Sequence, residues 1–203
     1  MIANAMLSTV LNLIVLAGLP FFGYWLYHRL HHKRRFTEIA SRAGLRLGEP
    51  RYLAYSAILA AICVAILLAW RPPLASFTGS SSPQQAFVRL GIGATSIGLA
   101  LLYGIVKTGF SEELLFRGLI AGSLARRMPL VWANLLQALI FLAPHLLILI
   151  SRPQLWPVLP AVFLGGLATG WLRIKSGSIL GPWLIHGALN TATCLYVAAG
   201  TAP

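Results

Sequence analysis

The sequence predicts an all-α membrane protein, a polytopic bundle of about six to eight helices with an intramembrane polar cavity. Of its 203 residues, 58% are hydrophobic and only 10% are charged, whereas a soluble domain carries about 25% charged residues. The mean hydropathy is +0.78. The apolar residues also form runs close to the roughly 20 residues that a helix needs to cross a bilayer. We therefore expect one integral membrane domain over residues 1–203.

The apolar runs place the helices along the chain. The predicted segments cover residues 4–27, 52–70, 86–106, 110–127, 130–150, 155–172 and 178–198. A basic, amphipathic loop is expected over 28–51, and Pro and Ser residues indicate a second loop over 71–85. We expect the chain to break at Lys107–Gly109 and again at Met128–Pro129.

Basic residues predict how the chain sits in the membrane. The loop over 28–51 is rich in cations, namely Arg29, Lys33, Arg34, Arg35, Arg42, Arg46 and Arg51. The positive-inside rule places this loop in the cytoplasm and the N-terminus outside. We expect the membrane to be a bacterial inner (cell) membrane. Alternation of the predicted spans then assigns Lys107 and Arg152 to the inside, and to the outside Arg71, Arg89, Arg126, Arg127, Arg173 and Lys175. The net charge of +12 is thus attributed to lipid headgroups, and no nucleic acid partner is expected.

Two of the four acidic residues, Glu112 and Glu113, are adjacent in the apolar stretch TGFSEELLFRG. A charged side chain at bilayer depth costs about 2.5–3.5 kcal/mol, so intramembrane carboxylates are functional by default. On a helix, Glu113 and Arg117 are four residues apart and share a face, which predicts an ion pair. Glu112 points about 100° away and has no such partner.

Two histidines lie inside predicted spans, His145 in FLAPH and His186 in WLIHGALN. His186 and Asn190 are four residues apart, so their side chains project from one helical face. Pro144 is expected to kink its helix and to open room for water or substrate. A carboxylate and an imidazole can deprotonate a water, and an imidazole and a carboxamide can donate hydrogen bonds to an oxyanion. GxSxG and HExxH motifs are absent. The predicted reaction is therefore attack of water on a peptide carbonyl within the membrane.

Three motifs together resemble those of a known family. EELLFR (112–117) matches EExxxR, FLAPH (141–145) matches FxxxH, and HGALN (186–190) matches HxxxN. In this order, in apolar segments of one small protein, they are similar to the motifs of the CAAX protease and bacteriocin-processing (CPBP, formerly Abi) family of intramembrane endopeptidases. The resemblance covers about residues 86–198.

The resemblance implies a role for each motif residue. Glu112 would be the general base, and His145 would help it to orient and activate water. His186 and Asn190 would form the oxyanion site. The implied residues are thus Glu112, His145, His186 and Asn190 as catalytic residues, with Glu113 and Arg117 in support.

The resemblance leaves metal dependence open. Glu112, His145 and His186 would supply one oxygen and two nitrogen ligands, which suits a catalytic zinc ion. We favour the metal-free interpretation, because Asn190 suits an oxyanion better than a metal. No cofactor is therefore expected, with zinc as the alternative.

The expected substrate is a membrane-anchored or C-terminally tailed protein. A prenylated CAAX protein, a C-terminal sorting tail and a bacteriocin-type peptide all stay open. One alternative is a non-catalytic bacteriocin-immunity or partner-binding membrane protein on the same scaffold. Another is a proton-coupled transporter that uses Glu112 and the histidines as a relay, although the sequence has no inverted repeat of broken helices. The oligomeric state is left open.

Overall fold

The computed structural model describes residues 2–79 and 82–202, and in these residues the chain is helical, with no strand. The longer helices are α1 Ile2–His32, α2 Phe36–Arg42, α3 Pro50–Trp70, α4 Ala94–Leu124, α5 Leu130–Leu146, α6 Val158–Ser176 and α7 Leu180–Gly200. Short helical segments are Leu74–Ser76, Pro83–Phe87, Ile148–Ser151 and Pro153–Leu155. Part of the predicted loop over 71–85 is therefore helical, and its residues 80–81 lie outside the described ranges.

Within the described ranges, four helices are long and apolar enough to cross a membrane: α1, α3, α4 and α6. Helix α5 is a shorter apolar helix, and α7 is 21 residues long. The predicted class, an all-α polytopic membrane bundle, is confirmed.

Most of the predicted segments end at a different residue, and α1 and α5 are two examples. Helix α1 continues through His32 and stops where Lys33 adopts the left-handed conformation, with φ of 52°. Helix α5 ends at Leu146 instead of residue 150, and Pro144 lies inside its last turn. The backbone N–H of Leu147 donates to the carbonyl oxygen of Pro144 at 3.2 Å, which closes the helix with a tighter turn. The kink predicted at Pro144 stays a prediction.

The predicted break at Lys107–Gly109 is wrong. Helix α4 is continuous over 31 residues, and no loop interrupts it. The backbone instead widens from α-helical to π-helical geometry over Leu102–Phe110 and again over Glu113–Ala121. The glutamate pair therefore lies in the interior of one long helix rather than near a helix end.

Helix α4 packs closely on α7 just before the predicted break. A side chain at Gly104 would approach the carbonyl oxygen of Gly187 to 2.8 Å, so this glycine permits contact between α4 and α7. Small residues commonly serve this purpose between membrane helices. Lys107 does not leave the bundle either, because its Nζ donates to Ser8 Oγ of α1 at 3.1 Å.

Three connections lie together at one end of the bundle: the loop before α3, the α4–α5 turn and the α6–α7 turn. We call this end the basic end. Arg126 Nη1 donates to the carbonyl oxygen of Arg42 at 3.3 Å. Arg46 Nε donates to the carbonyl oxygen of Gly177 at 2.9 Å. These contacts tie the three connections together.

The opposite end gathers the α3–α4 connection, the α5–α6 connection and the C-terminal end of α7. Arg152 Nη2 donates to the carbonyl oxygen of Ser76 at 2.7 Å, and the Arg89 N–H donates to Thr201 Oγ1 at 3.0 Å. The sequence predicted Arg126 and Arg173 on the side opposite to the first loop, and Arg152 on the same side as that loop. The structure places each of the three at the other end, because α4 crosses the bundle without turning back.

In the structure, the numbers of cations at the two ends of the bundle differ more than the sequence predicted. The cations at the basic end are Arg29, Lys33, Arg34, Arg35, Arg42, Arg46, Arg51, Arg126, Arg127, Arg173 and Lys175. Those at the opposite end are Arg71, Arg89 and Arg152. The remaining two, Lys107 and Arg117, lie within α4. An asymmetry of this kind is typical of an oriented membrane protein.

Cysteine labelling of intact cells checks this topology. In a background with Cys63→Ala and Cys194→Ala, we expect Arg71→Cys to react with a membrane-impermeant maleimide, and Arg127→Cys to react only after permeabilisation. The physical reason is that α3 and α4 are each long enough to cross the bilayer once, and we expect the basic end to face the cytoplasm by the positive-inside rule. Reaction of both variants from the same side would contradict the continuous α4. The reverse pattern would invert the orientation.

Candidate functional site

The site is built around a buried ion pair in α4. Arg117 Nη1 lies 3.2 Å from Glu113 Oε1, and both side chains are only 1% exposed. The two residues are one turn apart, as their spacing predicted. Each charge compensates the other where water cannot reach, which is the condition for keeping a buried ion.

Arg117 also joins α4 to two neighbouring helices. Its Nε and Nη2 donate to Thr169 Oγ1 of α6 at 3.1 and 2.7 Å. Its guanidinium carbon lies 3.9 Å from the centre of the Phe141 ring of α5, which is a cation–π contact. Thr169 was not among the residues predicted from the sequence, because a lone Thr inside an apolar helix carries no motif.

His186 of α7 lies between the two glutamates. Its Nδ1 is 2.8 Å from Glu113 Oε1, and its Nε2 is 3.8 Å from Glu112 Oε2. Because an ionised carboxylate can only accept hydrogen bonds, Nδ1 is the donor to Glu113. The contact with Glu113 was not predicted, because the sequence does not show which residues of α4 face which residues of α7. It orients the ring so that Nε2 points toward Glu112.

The two glutamates differ in accessibility. The Glu112 side chain is 21% exposed and that of His186 is 15% exposed, against 1% for Glu113. Arg117 and His186 both contact Oε1 of Glu113. Among the described residues, the ion-pair contact of Glu112 is the longer one to His186, so its carboxylate is available to a water or a substrate.

Asn190 reaches a residue that sequence reasoning missed. Its Nδ2 donates to Thr108 Oγ1 of α4 at 2.9 Å, and Thr108 Oγ1 donates in turn to the carbonyl oxygen of Tyr103 at 3.0 Å. As predicted, His186 and Asn190 project from one face of α7, and both meet α4. The amide of Asn190 is thereby fixed, while its second Nδ2 hydrogen remains for another acceptor.

His145 is placed next to the site without touching Glu112. Its Nδ1 is 2.9 Å from the carbonyl oxygen of Phe141, which makes Nδ1 a donor and leaves Nε2 as an acceptor in the neutral ring. The Phe141 ring lies 4.8 Å from the His145 ring and 6.4 Å from the His186 ring, measured between centres. Among the described residues, the ion pairs of Glu112 include His186 but not His145.

Over residues 2–79 and 82–202, no three His, Cys, Asp or Glu side chains are grouped so that they could hold a metal ion. Nδ1 of His186 is occupied by Glu113, so Nε2 is the ring nitrogen left to bind a metal. The choice between zinc and a metal-free site stays a prediction.

An apolar groove of about 300 Å³ opens next to the site at the basic end. It is lined by Leu45, Arg46, Leu47, Phe110, Ile179, Leu180 and Trp183. Phe110 is two residues before Glu112 on α4, and Trp183 is three residues before His186 on α7. Their rings pack edge to face with centres 5.3 Å apart. The groove therefore borders both helices that carry the carboxylates and the imidazole.

Residues 94–192 match the family model described as type II CAAX prenyl endopeptidase Rce1-like. The matched range begins with α4, extends into α7 and includes all three motifs. The recognition made from the motifs is confirmed for this part of the chain. The match implies a protease of the CAAX type. Together with the several helices that are long and apolar enough to cross a membrane, it indicates a multi-pass membrane protein. Comparisons with curated proteins and with solved structures found no match.

Proposed function

We propose that this chain is an intramembrane endopeptidase that hydrolyses a peptide bond in a membrane-anchored or C-terminally tailed protein. The observation that supports this most is the chain of contacts from Arg117 through Glu113 to His186, whose Nε2 faces Glu112 at 3.8 Å. This arrangement places one free carboxylate beside one oriented imidazole in a largely buried polar site. The basic end faces the cytoplasm of a bacterial cell, and the N-terminus lies outside.

In the proposed mechanism Glu112 is the general base. A water held between Glu112 and Nε2 of His145 gives its proton to the Glu112 carboxylate as its oxygen attacks the peptide carbonyl carbon. The protonated Glu112 then passes this proton to the departing amine, which completes hydrolysis. His145 orients the water as a hydrogen-bond acceptor, and its own ring is fixed through Phe141.

His186 and Asn190 stabilise the oxyanion of the tetrahedral intermediate. Since Nδ1 of His186 already donates to Glu113, the ring must carry a second proton on Nε2 to donate to the oxyanion. The free Nδ2 hydrogen of Asn190 supplies the second hydrogen bond. Glu113 and Arg117 act as positioning residues, because they fix the plane of the imidazole without touching the reacting atoms.

The apolar groove at the basic end is the proposed path of the substrate. Its lining is apolar except for Arg46, which suits an extended hydrophobic tail better than a polar peptide. A prenylated C-terminus and an apolar sorting tail both have this character, and the groove favours both over a charged bacteriocin-type peptide.

The test is mass spectrometry of membrane proteins from cells that contain either the wild-type chain or Glu112→Gln. We expect a small set of proteins to be shortened at one end only with the wild type. The matched control is Glu49→Gln, since Glu49 pairs with the exposed Arg51 at 2.8 Å and lies outside the site; this variant should retain cleavage. If cells with the wild type and cells with Glu112→Gln contain the same full-length proteins, the partner-binding alternative is favoured.

Purified enzyme should also keep its activity in a strong chelator. A loss of activity that added zinc restores would contradict the metal-free mechanism.

Asn190→Ala is expected to lower turnover by about 100- to 1,000-fold, the scale for one oxyanion donor, while substrate binding is retained. Asn134→Ala is the matched control, because the Nδ2 of Asn134 donates to the carbonyl oxygen of Leu167 at 3.0 Å, away from the site. It should lower the melting temperature rather than the turnover of the folded enzyme. Equal turnover in Asn190→Ala and wild type would remove Asn190 from the oxyanion site.

A further inference from the structure

Three arginines meet at the basic end, and we call Arg42, Arg126 and Arg173 the arginine cluster. Arg126 Nη1 and Arg173 Nη2 both donate to the carbonyl oxygen of Arg42, at 3.3 and 2.9 Å. Partial burial, together with the nearby charges of Arg42, Arg34 and Arg127, lowers the pKa of the Arg126 guanidinium below its ordinary value, against a smaller opposing effect of Tyr24. The cluster is thus a concentration of like charge.

The charges of the arginine cluster are not neutralised within the described part of the chain. Two of its four acidic residues belong to the catalytic site, Glu49 pairs with Arg51 at 2.8 Å, and Glu38 is exposed on α2 without an ion pair. Arg173 is only 5% exposed. The Nε atoms of Arg173 and Arg42 are buried and have no hydrogen-bond partner. A buried cation without a counter-ion is strongly unfavourable.

The backbone makes room for the buried guanidinium of Arg173. A side chain at Gly44, whose φ of +82° already favours glycine, would come within 2.7 Å of Arg173 Nε. A side chain at Gly122 would come within 2.9 Å of Arg173 Nη2. Two separate segments therefore omit a side chain where this cation lies. The carbonyl end of the short α2 offers only a partial negative charge, which cannot balance three arginines.

We infer that the arginine cluster binds the phosphate of one anionic phospholipid from the leaflet at the basic end. Guanidinium groups match phosphate oxygens in charge and in geometry, and basic pockets between membrane helices at the cytoplasmic side bind acidic headgroups. The adjoining loop supplies apolar surface for the acyl chains, since Leu47 is 81% exposed and Leu45 is 38% exposed. The phosphate site does not rest on the proposed hydrolysis, although Leu45 and Leu47 also line the groove proposed for the substrate.

The experiment uses the full chain, purified in neutral detergent and stripped of lipid. Its melting temperature and its native mass spectrum are recorded with phosphatidylglycerol, with phosphatidylcholine and with inorganic phosphate. We expect phosphatidylglycerol to raise the melting temperature and to remain bound as a single adduct. Phosphatidylcholine should have a much smaller effect, because its choline cation would be repelled by the cluster.

Arg126→Gln tests the site, since Arg126 as a residue is exposed. Because its guanidinium also donates to Tyr24 and Ser123, the melting temperature of the lipid-free variant is recorded as a control for folding. It should weaken phosphatidylglycerol binding about tenfold, as expected for one lost charge-assisted hydrogen bond. Arg127→Gln is the matched control: it removes the same charge from the adjacent exposed position and should change binding by less than about twofold. The proposal is overturned if Arg127→Gln weakens binding as much as Arg126→Gln, which would mean diffuse attraction, or if no adduct forms. Equal stabilisation by inorganic phosphate would assign the site to free phosphate rather than to lipid.

Discussion

Glu112→Gln is expected to give a folded, substrate-binding protein that cleaves about 100- to 10,000-fold more slowly than wild type, the usual cost of losing a general base. The substitution keeps the size of the side chain and its capacity for hydrogen bonds, but a carboxamide cannot accept the proton of water. Because Glu112 lies 3.8 Å from His186 Nε2 and is 21% exposed, no tight buried pair is broken. Cleavage of a reconstituted substrate, with the melting temperature of each variant, measures the effect.

Glu113→Gln is the comparison that separates the roles of the two glutamates. Glu113 contacts both Arg117 and His186, so this variant should mainly lose stability, with a smaller loss of turnover than Glu112→Gln because His186 loses the partner that orients its ring. If Glu112→Gln cleaves at the wild-type rate while Glu113→Gln is folded but inactive, the two roles are inverted. If both variants cleave normally, the protease assignment of this pair fails.

Arg117→Ala is expected to lower the free energy of unfolding by about 3–5 kcal/mol, the range for a buried pair that loses one partner. Glu113 would keep its charge in a site where water does not reach. The change also removes the hydrogen bonds to Thr169 and the contact with the Phe141 ring, so α4 would lose its polar attachment to α5 and α6. Thermal unfolding in detergent and the yield of folded protein measure the loss.

Arg127→Ala serves as the control for Arg117→Ala, because it removes an exposed arginine just beyond the end of the same helix. Its effect should be within about 0.5 kcal/mol, as is usual for surface positions. Arg117→Lys retains the charge but cannot reproduce the two hydrogen bonds to Thr169, and should fall between the two. An Arg117→Ala protein as stable and as active as wild type would contradict the structural role of the pair.

Apolar run length predicted most of the fold, because a bilayer imposes a minimum length on every crossing helix. The prediction failed at Lys107–Gly109, where a break between two helical segments was expected. In the structure, Gly104 allows α7 to approach and Lys107 bonds to Ser8 of α1. Both explanations need the identity of the neighbouring helix, which local sequence does not contain. The error then changed the side assigned to every later connection.

In the candidate site too, contacts within one helix could be predicted, whereas contacts between helices could not. The Glu113–Arg117 pair follows from helical spacing alone, and the structure contains it. The hydrogen bond between Glu113 and His186 joins residues 73 positions apart, so it depends on the register between α4 and α7. The bond from Asn190 to Thr108 depends on the same register. No spacing rule within one helix could have predicted either contact.

The π-helical stretches of α4 have an evolutionary consequence. They flank Ser111 and Glu112 on both sides, and a π-turn holds one residue more than the α-turn that would replace it. Deleting one residue from Leu102–Phe110 while this stretch returns to regular α geometry would keep Glu112 and Glu113 on the face toward His186. A deletion that is not absorbed in this way would turn both glutamates by about 100°. Related chains should therefore differ in length before the glutamates by no more than the residue that a π-turn holds.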